Sequence, residues 1–280
     1  MNSVCQFVTA SSIREDIVRL LAKQQQPTPK LIEKLDACRS GVYKELSNLK
    51  QRGALAEAED GWQLTACGQL VTDTIARRQA TEEFLGRDIE YWQHHDLELL
   101  PDGFRRRLPD VGEYEVIRGE MPAVDRHVSE FVSRIEAGEG PDVLTPIFVR
   151  GLNDAIPDSP DTRVLVTSEV RDRLLGNVGS EPKRERAFLK AQVRVAHAEF
   201  GLGRTADSLC LVFPSRANGE WQATLVSETD AAVQWGEELF ESLWAEADPV
   251  NSPEQDSFEP TGRRGMVGPA RTSRDSRSPY

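Results

Sequence analysis

The apolar residues between positions 38 and 53 follow the spacing of an amphipathic helix. Val42, Leu46 and Leu49 lie at i, i+4 and i+7, which places them on one face. Gly53 is expected to end this helix. The opposite face is polar, and its side chains are free to hydrogen-bond base edges or phosphates. This stretch gives the first indication of function.

Two shorter helices are predicted before it. Residues 11 to 24 show a helical apolar pattern, and Ser11 or Ser12 can cap that helix. Another pattern follows two prolines and runs to residue 35, with Thr28 as the expected N-cap. Residues 36 to 39 would form the tight turn before the polar-faced helix. Together these patterns predict a tri-helical core.

A β-hairpin is predicted directly after this core. Residues 54 to 57 and 62 to 64 are strand-like, and Asp60-Gly61 between them favours a type I′ turn. Thr65 can cap a further helix, and residues 66 to 95 are predicted to be largely helical. This long helix would either pair with its copy in a dimer or pack on its own second domain.

The order helix, helix, turn, helix and hairpin resembles archaeal and bacterial winged-helix repressors. The likeness rests on the run from Arg39 to Leu46, on Leu-Lys-Gln-Arg-Gly-Ala-Leu and on Asp-Gly-Trp-Gln-Leu-Thr. It implies that helix 38–53 is the recognition helix and enters the major groove of double-stranded DNA. The residues expected to contact bases there are Arg39, Ser40, Tyr43, Lys44 and Ser47, and Lys50 and Arg52 are expected to hold phosphates.

The chain departs from that pattern in two places. Cys38 stands where such proteins often have a capping serine, and Gly41 inside the helix costs about 1 kcal/mol relative to alanine. The hairpin carries Glu57, Glu59 and Asp60, which would repel phosphate. Contacts to DNA are therefore expected from the helix more than from the hairpin.

The second half of the chain alternates β-branched runs with helical patterns. Asn218-Gly219 is a hairpin signal, and a helix over residues 237–245 would cover the sheet with Trp235, Leu239, Leu243 and Trp244. The pattern predicts an α/β domain with a mixed sheet. The strand candidates are residues 143–149, 164–167, 193–196, 208–213 and 223–226.

This half resembles the middle domain of archaeal transcriptional regulators of the methanogenesis-regulatory type. The likeness begins at Tyr91-Trp-Gln-His-His-Asp-Leu, includes a helix at 131–135 and the segment 163–170, and ends at 233–241. With the winged helix it spans roughly residues 10 to 250, although residues 176–206 depart from the usual pattern. The resemblance implies a second domain that senses a ligand or dimerises.

The charge is unevenly distributed along the chain. The formal net charge is −12, but the first 65 residues carry +1 and residues 66–250 carry −14. Lysine is scarce, with seven residues against 27 arginines. This acidic, lysine-poor composition resembles proteins of salt-accumulating halophiles. Because high salt removes most of the counterion-release drive for DNA binding, the lack of a large basic patch argues little against a DNA-binding function.

The candidates for chemistry are few. His94, His95 and Asp96 suggest a metal site, but adjacent helical residues point about 100° apart, so hydrogen bonding to a helix end is the preferred interpretation. No nucleophile elbow or Walker loop occurs, and Gly201-Leu-Gly203 is too short for a phosphate loop. Residues 105–107, three arginines, are either a solvated helix face or an anionic effector site. We therefore predict no enzyme activity, no cofactor and no metal.

The sequence thus predicts a cytoplasmic, sequence-specific DNA-binding regulator in three parts. These are a winged helix-turn-helix over residues 1–80, an α/β regulatory domain over 81–250 and a disordered tail over 251–280. No apolar run is long enough to span a membrane, and no signal peptide is expected. The expected partners are DNA, a second copy of the chain and a small-molecule effector. The competing hypothesis is a protein–protein adaptor that uses the winged helix as an interaction face.

Overall fold

The computed structural model describes residues 3–119, 121–149, 151–157, 159–176 and 191–250. The predicted tail lies outside the described residues, as do residues 177–190 of the segment 176–206. Helices are α1 Val4–Thr9, α2 Ser12–Lys23, α3 Thr28–Lys34, α4 Arg39–Gln51, α5 Ala66–Arg87, α6 Ile89–His94, α7 Asp102–Arg107, α8 Arg126–Ala137, α9 Leu152–Ala155, α10 Ser168–Gly176 and α11 Asp230–Glu246, with a 3₁₀ turn at Leu108–Val111. Strands are β1 Leu55–Ala58, β2 Gly61–Leu64, β3 Glu115–Arg118, β4 Asp142–Thr145, β5 Arg163–Val166, β6 Gln192–Val195, β7 Gly201–Arg204, β8 Leu209–Val212, β9 Ala223–Ser227 and β10 Asp248–Pro249.

The N-terminal part has the element order of a winged helix-turn-helix. Helices α2, α3 and α4 enclose one apolar core, in which Val42, Leu46 and Leu49 are buried as the stripe predicted. Gly53 follows α4 with a φ of +76°, a conformation that glycine adopts without strain. Together with the mixed sheet of the second part, this arrangement confirms the predicted fold class.

Helix α1 was not predicted, although the sequence carries a signal for it. Ser3 and Gln6 form a capping box: the Gln6 amide donates to the Ser3 hydroxyl at 3.1 Å, and the Ser3 amide donates to the Gln6 side chain at 3.4 Å. Val8 of this helix is fully buried in the N-terminal core. The N-terminal part therefore has one helix more than the tri-helical core requires.

The caps of the early helices differ from the prediction. Thr28 is not the N-cap of α3, because Pro27 occupies that position. The Thr28 hydroxyl instead accepts a hydrogen bond from the Trp62 indole at 3.0 Å, which ties α3 to the hairpin. Ser11 occupies the N-cap of α2 without a side-chain cap bond. Thr65 caps α5 as predicted, accepting from the Gly68 amide at 3.1 Å.

The hairpin is present, but its turn lies one residue earlier than predicted. Ala58 pairs with Gly61, so the loop residues are Glu59 and Asp60 and the glycine is the first residue of β2. Gly61 has a φ of +132°, and a Cβ there would lie 2.4 Å from the carbonyl oxygen of Gln26. This close approach requires glycine, because Gln26 pairs with Trp62 in an isolated bridge at the edge of the hairpin.

The helix predicted over residues 66–95 is broken at Asp88. The Asp88 carboxylate accepts from the Tyr91 amide at 2.9 Å and caps a separate α6. As a result, Ile89 is 54% exposed, whereas Leu85 and Trp92 pack against the core of the second part. Helix α5 begins in the N-terminal core and ends with Phe84 in the core of the second part. Its C-terminal end therefore packs on its own second domain.

The second part is built on an eight-stranded mixed sheet. The strand order is β10-β6-β5-β4-β7-β8-β9-β3, with parallel pairing only between β4, β5 and β6 among the described strands. Alternate strand residues enter two cores, as with Val143 on one face and Leu144 on the other. Helix α11, capped by Thr229, covers one face with Trp235, and α8 covers the other.

Five strands overlap the predicted ones, although β4 ends at Thr145, four residues before the predicted end, and three others were not predicted. The unpredicted strands are β3, β7 and β10. Gly201-Leu-Gly203, considered above as a phosphate loop, belongs to the central strand β7. A Cβ at Gly201 would lie 2.5 Å from the Trp221 ring, and one at Gly203 would lie 2.8 Å from Ile135. The glycines thus make room for large side chains that cover the sheet.

Candidate nucleic-acid interface

The residues predicted to contact DNA lie on α4 and at its C-cap, and all of them are exposed. The buried side of the helix is held by the N-terminal core, which leaves the opposite side open to solvent. We refer to this exposed set as the α4 face. It consists of Arg39, Ser40, Tyr43, Lys44, Ser47, Lys50 and Arg52, all of which are exposed.

The first two turns of the α4 face carry groups that can read base edges. Tyr43 is 48% exposed, and the Arg39 guanidinium lies 5.9 Å from the centre of its ring. Lys44 and Ser47 follow on the next turn. No described carboxylate lies within 4.0 Å of the cationic groups of Arg39 or Lys44. Their donors are therefore available to an external acceptor.

The two cations at the C-terminal end of α4 have different surroundings. The Lys50 ammonium lies 3.1 Å from the Glu57 carboxylate of β1, and the two form an exposed ion pair between α4 and the hairpin. The Arg52 guanidinium lies 3.9 Å from the centre of the Phe7 ring in α1, and no described carboxylate lies within 4.0 Å of it. Lys50 and Arg52 were both predicted to hold phosphates, but only Lys50 has a described carboxylate within 4.0 Å.

The orientation of α4 is fixed by an ion pair that sequence reasoning missed. Glu45 is buried and accepts a hydrogen bond from Arg14 at 2.5 Å and another from Asn48 at 3.1 Å. The Arg14 hydrogen bond holds the pKa of the Glu45 carboxyl below its ordinary value, and burial opposes that shift. Arg14 also donates to the Phe7 carbonyl at 2.8 Å, which links α1 to α4.

Cys38 occupies the N-cap of α4 without capping it. Its Sγ lies 3.4 Å from the Ser40 hydroxyl, and this contact lowers the pKa of the exposed thiol. The substitution for a capping serine, noted in the sequence, thus leaves the first amides of α4 without a side-chain cap.

The histidine pair lies at the end of α6, as the preferred interpretation expected. His94 Nδ1 lies 2.8 Å from the Glu90 carbonyl, and His95 Nδ1 lies 2.7 Å from the Tyr91 carbonyl. His94 is exposed, whereas His95 is buried and stacked on the Tyr91 ring. Within the described ranges, no group of three or more His, Cys, Asp or Glu side chains is placed to hold a metal ion.

The arginines at 105–107 are engaged in ion pairs. Arg105 and Arg106 lie 2.6 and 3.8 Å from Asp102, and Arg107 lies 2.7 Å from Glu238. The Glu238 contact raises the pKa of Arg107 and lowers that of the glutamate. Of the two interpretations left open by the sequence, these contacts favour a solvated helix face over an anion site.

A cavity lies in the second part of the chain. Its volume is about 970 Å³, and it is bordered by α8, by the segment after β4 and by the loop between β8 and β9. Val132 and Trp221 contribute apolar surface, whereas Ser133, Glu136 and Glu220 contribute polar groups. A concave site of this composition is compatible with a small ligand.

Residues 124–246 match the family model described as methanogenesis regulatory protein FilR1, middle domain. The match covers somewhat less than half of the 280-residue chain. It confirms the predicted resemblance to a middle domain of the methanogenesis-regulatory type. The segment Tyr91-Trp-Gln-His-His-Asp-Leu, at which the predicted resemblance begins, lies before the matched residues.

Three solved structures show more distant similarity. The archaeal chromatin protein TrmBL2 is 14% identical, with a TM-score of 0.39 over 85% of this chain and 93% of its own. NucT from Helicobacter pylori is 8% identical, with a TM-score of 0.34 over 49% and 99%. A protein described as an IclR-family transcriptional regulator from Rhodococcus sp. is 15% identical, with a TM-score of 0.21 over 89% and 96%. These TM-scores are below 0.5, so none of the three carries an argument here.

Among the helices described, none combines the length and apolar character that a membrane crossing requires.

Proposed function

We propose that this chain is a sequence-specific DNA-binding transcriptional regulator whose α4 face reads the major groove. Residues 1–80 would form the DNA-binding part and residues 81–250 the regulatory part. Arg39, Ser40, Tyr43, Lys44 and Ser47 would contact base edges, and Lys50 and Arg52 would contact phosphates. The match of residues 124–246 to the middle domain of a regulatory protein supports the regulatory role.

The observation that carries the proposal is the α4 face itself. Its cations at positions 39 and 44 lie beside an exposed tyrosine, without a described carboxylate within 4.0 Å. Elsewhere the chain is strongly acidic, with a net charge of −14 over residues 66–250. That acidity would keep the second part away from the phosphate backbone and leave DNA contact to the winged helix.

The second part would transmit a signal to the DNA-binding part. Its cavity of about 970 Å³ supports a ligand-sensing role, with dimerisation as the other role for this region. A homodimer would present two copies of α4 to half-sites about 34 Å apart on one side of the duplex. A ligand that changed this spacing would change the affinity for the operator.

The proposal is tested by a double substitution on the α4 face. Tyr43→Ala with Lys44→Ala should abolish the electrophoretic shift of a cognate promoter fragment, because it removes two base-reading groups without touching the core. A matched control is Ile89→Ala with Arg106→Ala, which also removes one exposed large side chain and one cation but lies in the second part. The control should shift the fragment like the wild type.

The result that contradicts the proposal is a double variant that binds as well as the wild type while its circular dichroism spectrum is unchanged. An adaptor function would then be favoured, because an interaction face for another protein does not require base-reading groups.

A further inference from the structure

Two cations at the end of α4 were expected to hold phosphates, yet only one of them is free to do so. The Lys50 ammonium lies 3.1 Å from Glu57 in β1, and Glu59 and Asp60 follow at the tip of the same hairpin. A phosphate approaching Lys50 would meet the Glu57 carboxylate. The hairpin side of α4 is therefore a poor phosphate anchor.

The side of α4 that faces α1 has the opposite character. The Phe7 ring lies between two guanidinium groups, with Arg14 Cζ at 3.8 Å and Arg52 Cζ at 3.9 Å from the ring centre. Two guanidinium groups at these distances cannot share one face of the ring. They therefore stack on opposite faces, with the aromatic side chain sandwiched between them.

The two stacked arginines differ in their charge balance. Arg14 is neutralised by Glu45 at 2.5 Å and is further fixed by the Phe7 carbonyl at 2.8 Å. No described carboxylate lies within 4.0 Å of the Arg52 guanidinium, which is exposed. Because the Arg14 charge is compensated, it repels Arg52 only weakly across the ring.

Stacking leaves the hydrogen-bonding edge of Arg52 free. A guanidinium that lies flat on an aromatic ring uses its face, and its N–H donors point outward in the plane of the group. The side chain loses less rotamer freedom on meeting a phosphate oxygen when the ring already restricts it. Arg52 thus combines an uncompensated charge with a restrained position next to the base-reading residues.

We infer that DNA phosphate is held on the α1 side of α4 and not on the hairpin side. Arg52 makes the phosphate contact, and Phe7 of α1 is the positioning residue for Arg52. The Arg14–Glu45 pair fixes α1 against α4 and so sets the place of the ring. This inference rests on the proposed function, since it assigns a phosphate contact to the same DNA interface.

The test is the salt dependence of DNA affinity, because phosphate contacts are independent of sequence. Fluorescence anisotropy with a labelled random-sequence 30-base-pair duplex is measured between about 50 and 200 mM salt. Arg52→Ala should reduce the magnitude of the slope of log K against log salt by about 0.9. The control Arg106→Ala, which removes an exposed cation from the second part, should leave the slope unchanged.

The positioning role is tested by a double-mutant cycle. Phe7→Leu keeps the apolar contact with the core but removes the ring, and should weaken binding about two- to fivefold, the factor of an exposed cation–π contact. Phe7→Tyr should bind like the wild type. Adding Phe7→Leu to Arg52→Ala should weaken binding no further, whereas a merely structural role for Phe7 would give additive losses.

The outcomes separate this inference from the proposed function. The anchoring role of α1 is wrong if the wild type binds the duplex but Arg52→Ala keeps the wild-type salt slope. It is also wrong if the effects of Phe7→Leu and Arg52→Ala simply add. In both cases DNA binding by α4 still stands. If the folded wild type binds no duplex at the lowest salt, both the proposed function and this inference fall.

Discussion

Arginine side chains have different partners in the two parts of the molecule. In the second part, Asp142 is 1% exposed and accepts hydrogen bonds from both Arg163 and Arg204 at 2.6–3.0 Å. On the α4 face, Arg39 and Arg52 have no described carboxylate within 4.0 Å. The chain contains 27 arginines, but what matters for a DNA contact is which of them lack a partner. Substitutions in the second part should therefore affect stability, and those on α4 should affect binding.

The largest effect is expected from Asp142→Asn. The amide keeps the size of the side chain but leaves the mostly buried Arg204 without its counter-charge, and Arg163 keeps only the exposed Glu241. The free energy of unfolding should fall by about 3 kcal/mol, measured by urea denaturation. The control Asp172→Asn, which removes an exposed ion pair with Arg171, should change it by less than about 0.5 kcal/mol. Equal effects of the two substitutions would show that the buried Asp142 stabilises the fold no more than an exposed ion pair does.

The opposite pattern is expected from Lys44→Ala on the α4 face. Affinity for a cognate fragment should fall about tenfold, or roughly 1.4 kcal/mol, because one contact to DNA is removed. The free energy of unfolding should change by less than about 0.5 kcal/mol, since Lys44 is exposed. Arg106→Ala removes one cation from the second part and should not change the affinity. A loss of stability without a loss of affinity at Lys44 would reverse the comparison.

A smaller effect is expected from pH through His95 in the second part. Burial lowers the pKa of His95, so the unfolded chain binds a proton that the folded chain does not. The stability from this group is complete above the ordinary histidine pKa of about 6.5 and is lost as the pH falls through the lowered folded value. The free energy of unfolding of the His95→Gln variant should fall less steeply than that of the wild type between neutral and mildly acidic pH. An unchanged slope would show that His95 does not contribute.

The smallest effect is expected from Glu57→Gln in the hairpin. This substitution releases Lys50 from its surface ion pair, at a cost of less than about 1 kcal/mol in stability. The freed lysine should raise DNA affinity by about twofold, measured by anisotropy at low salt, and steepen the salt dependence. A lower affinity would mean that the pair itself supports the interface.

Local patterns were sufficient to predict the part of the fold that carries the site. The Val42, Leu46 and Leu49 stripe and the Gly53 stop define α4, and the exposed residues follow from its geometry. The Ser3 capping box was also local, but its helix is too short to show an apolar period. Without α1, the contact between Phe7 and Arg52 could not be predicted.

Other features depend on contacts between distant residues. Strand β7 contains two glycines with low strand propensity, and it is stabilised by Trp221, Phe131 and Ile135 from other elements. The break at Asp88 separates α5 from α6 because that carboxylate caps the second helix, an alternative that the helical spacing alone did not exclude. Sequence spacing also could not distinguish Lys50 from Arg52, because their partners lie in β1 and α1.

Chromatin immunoprecipitation of the full-length protein tests the central claim most directly. The wild type should give discrete promoter peaks, and the variant Tyr43→Ala with Lys44→Ala should lose them at equal protein level, while Ile89→Ala with Arg106→Ala retains them. Peaks that persist in the α4 variant, or the absence of discrete peaks for the wild type, would contradict the assignment of α4 as the surface that reads DNA.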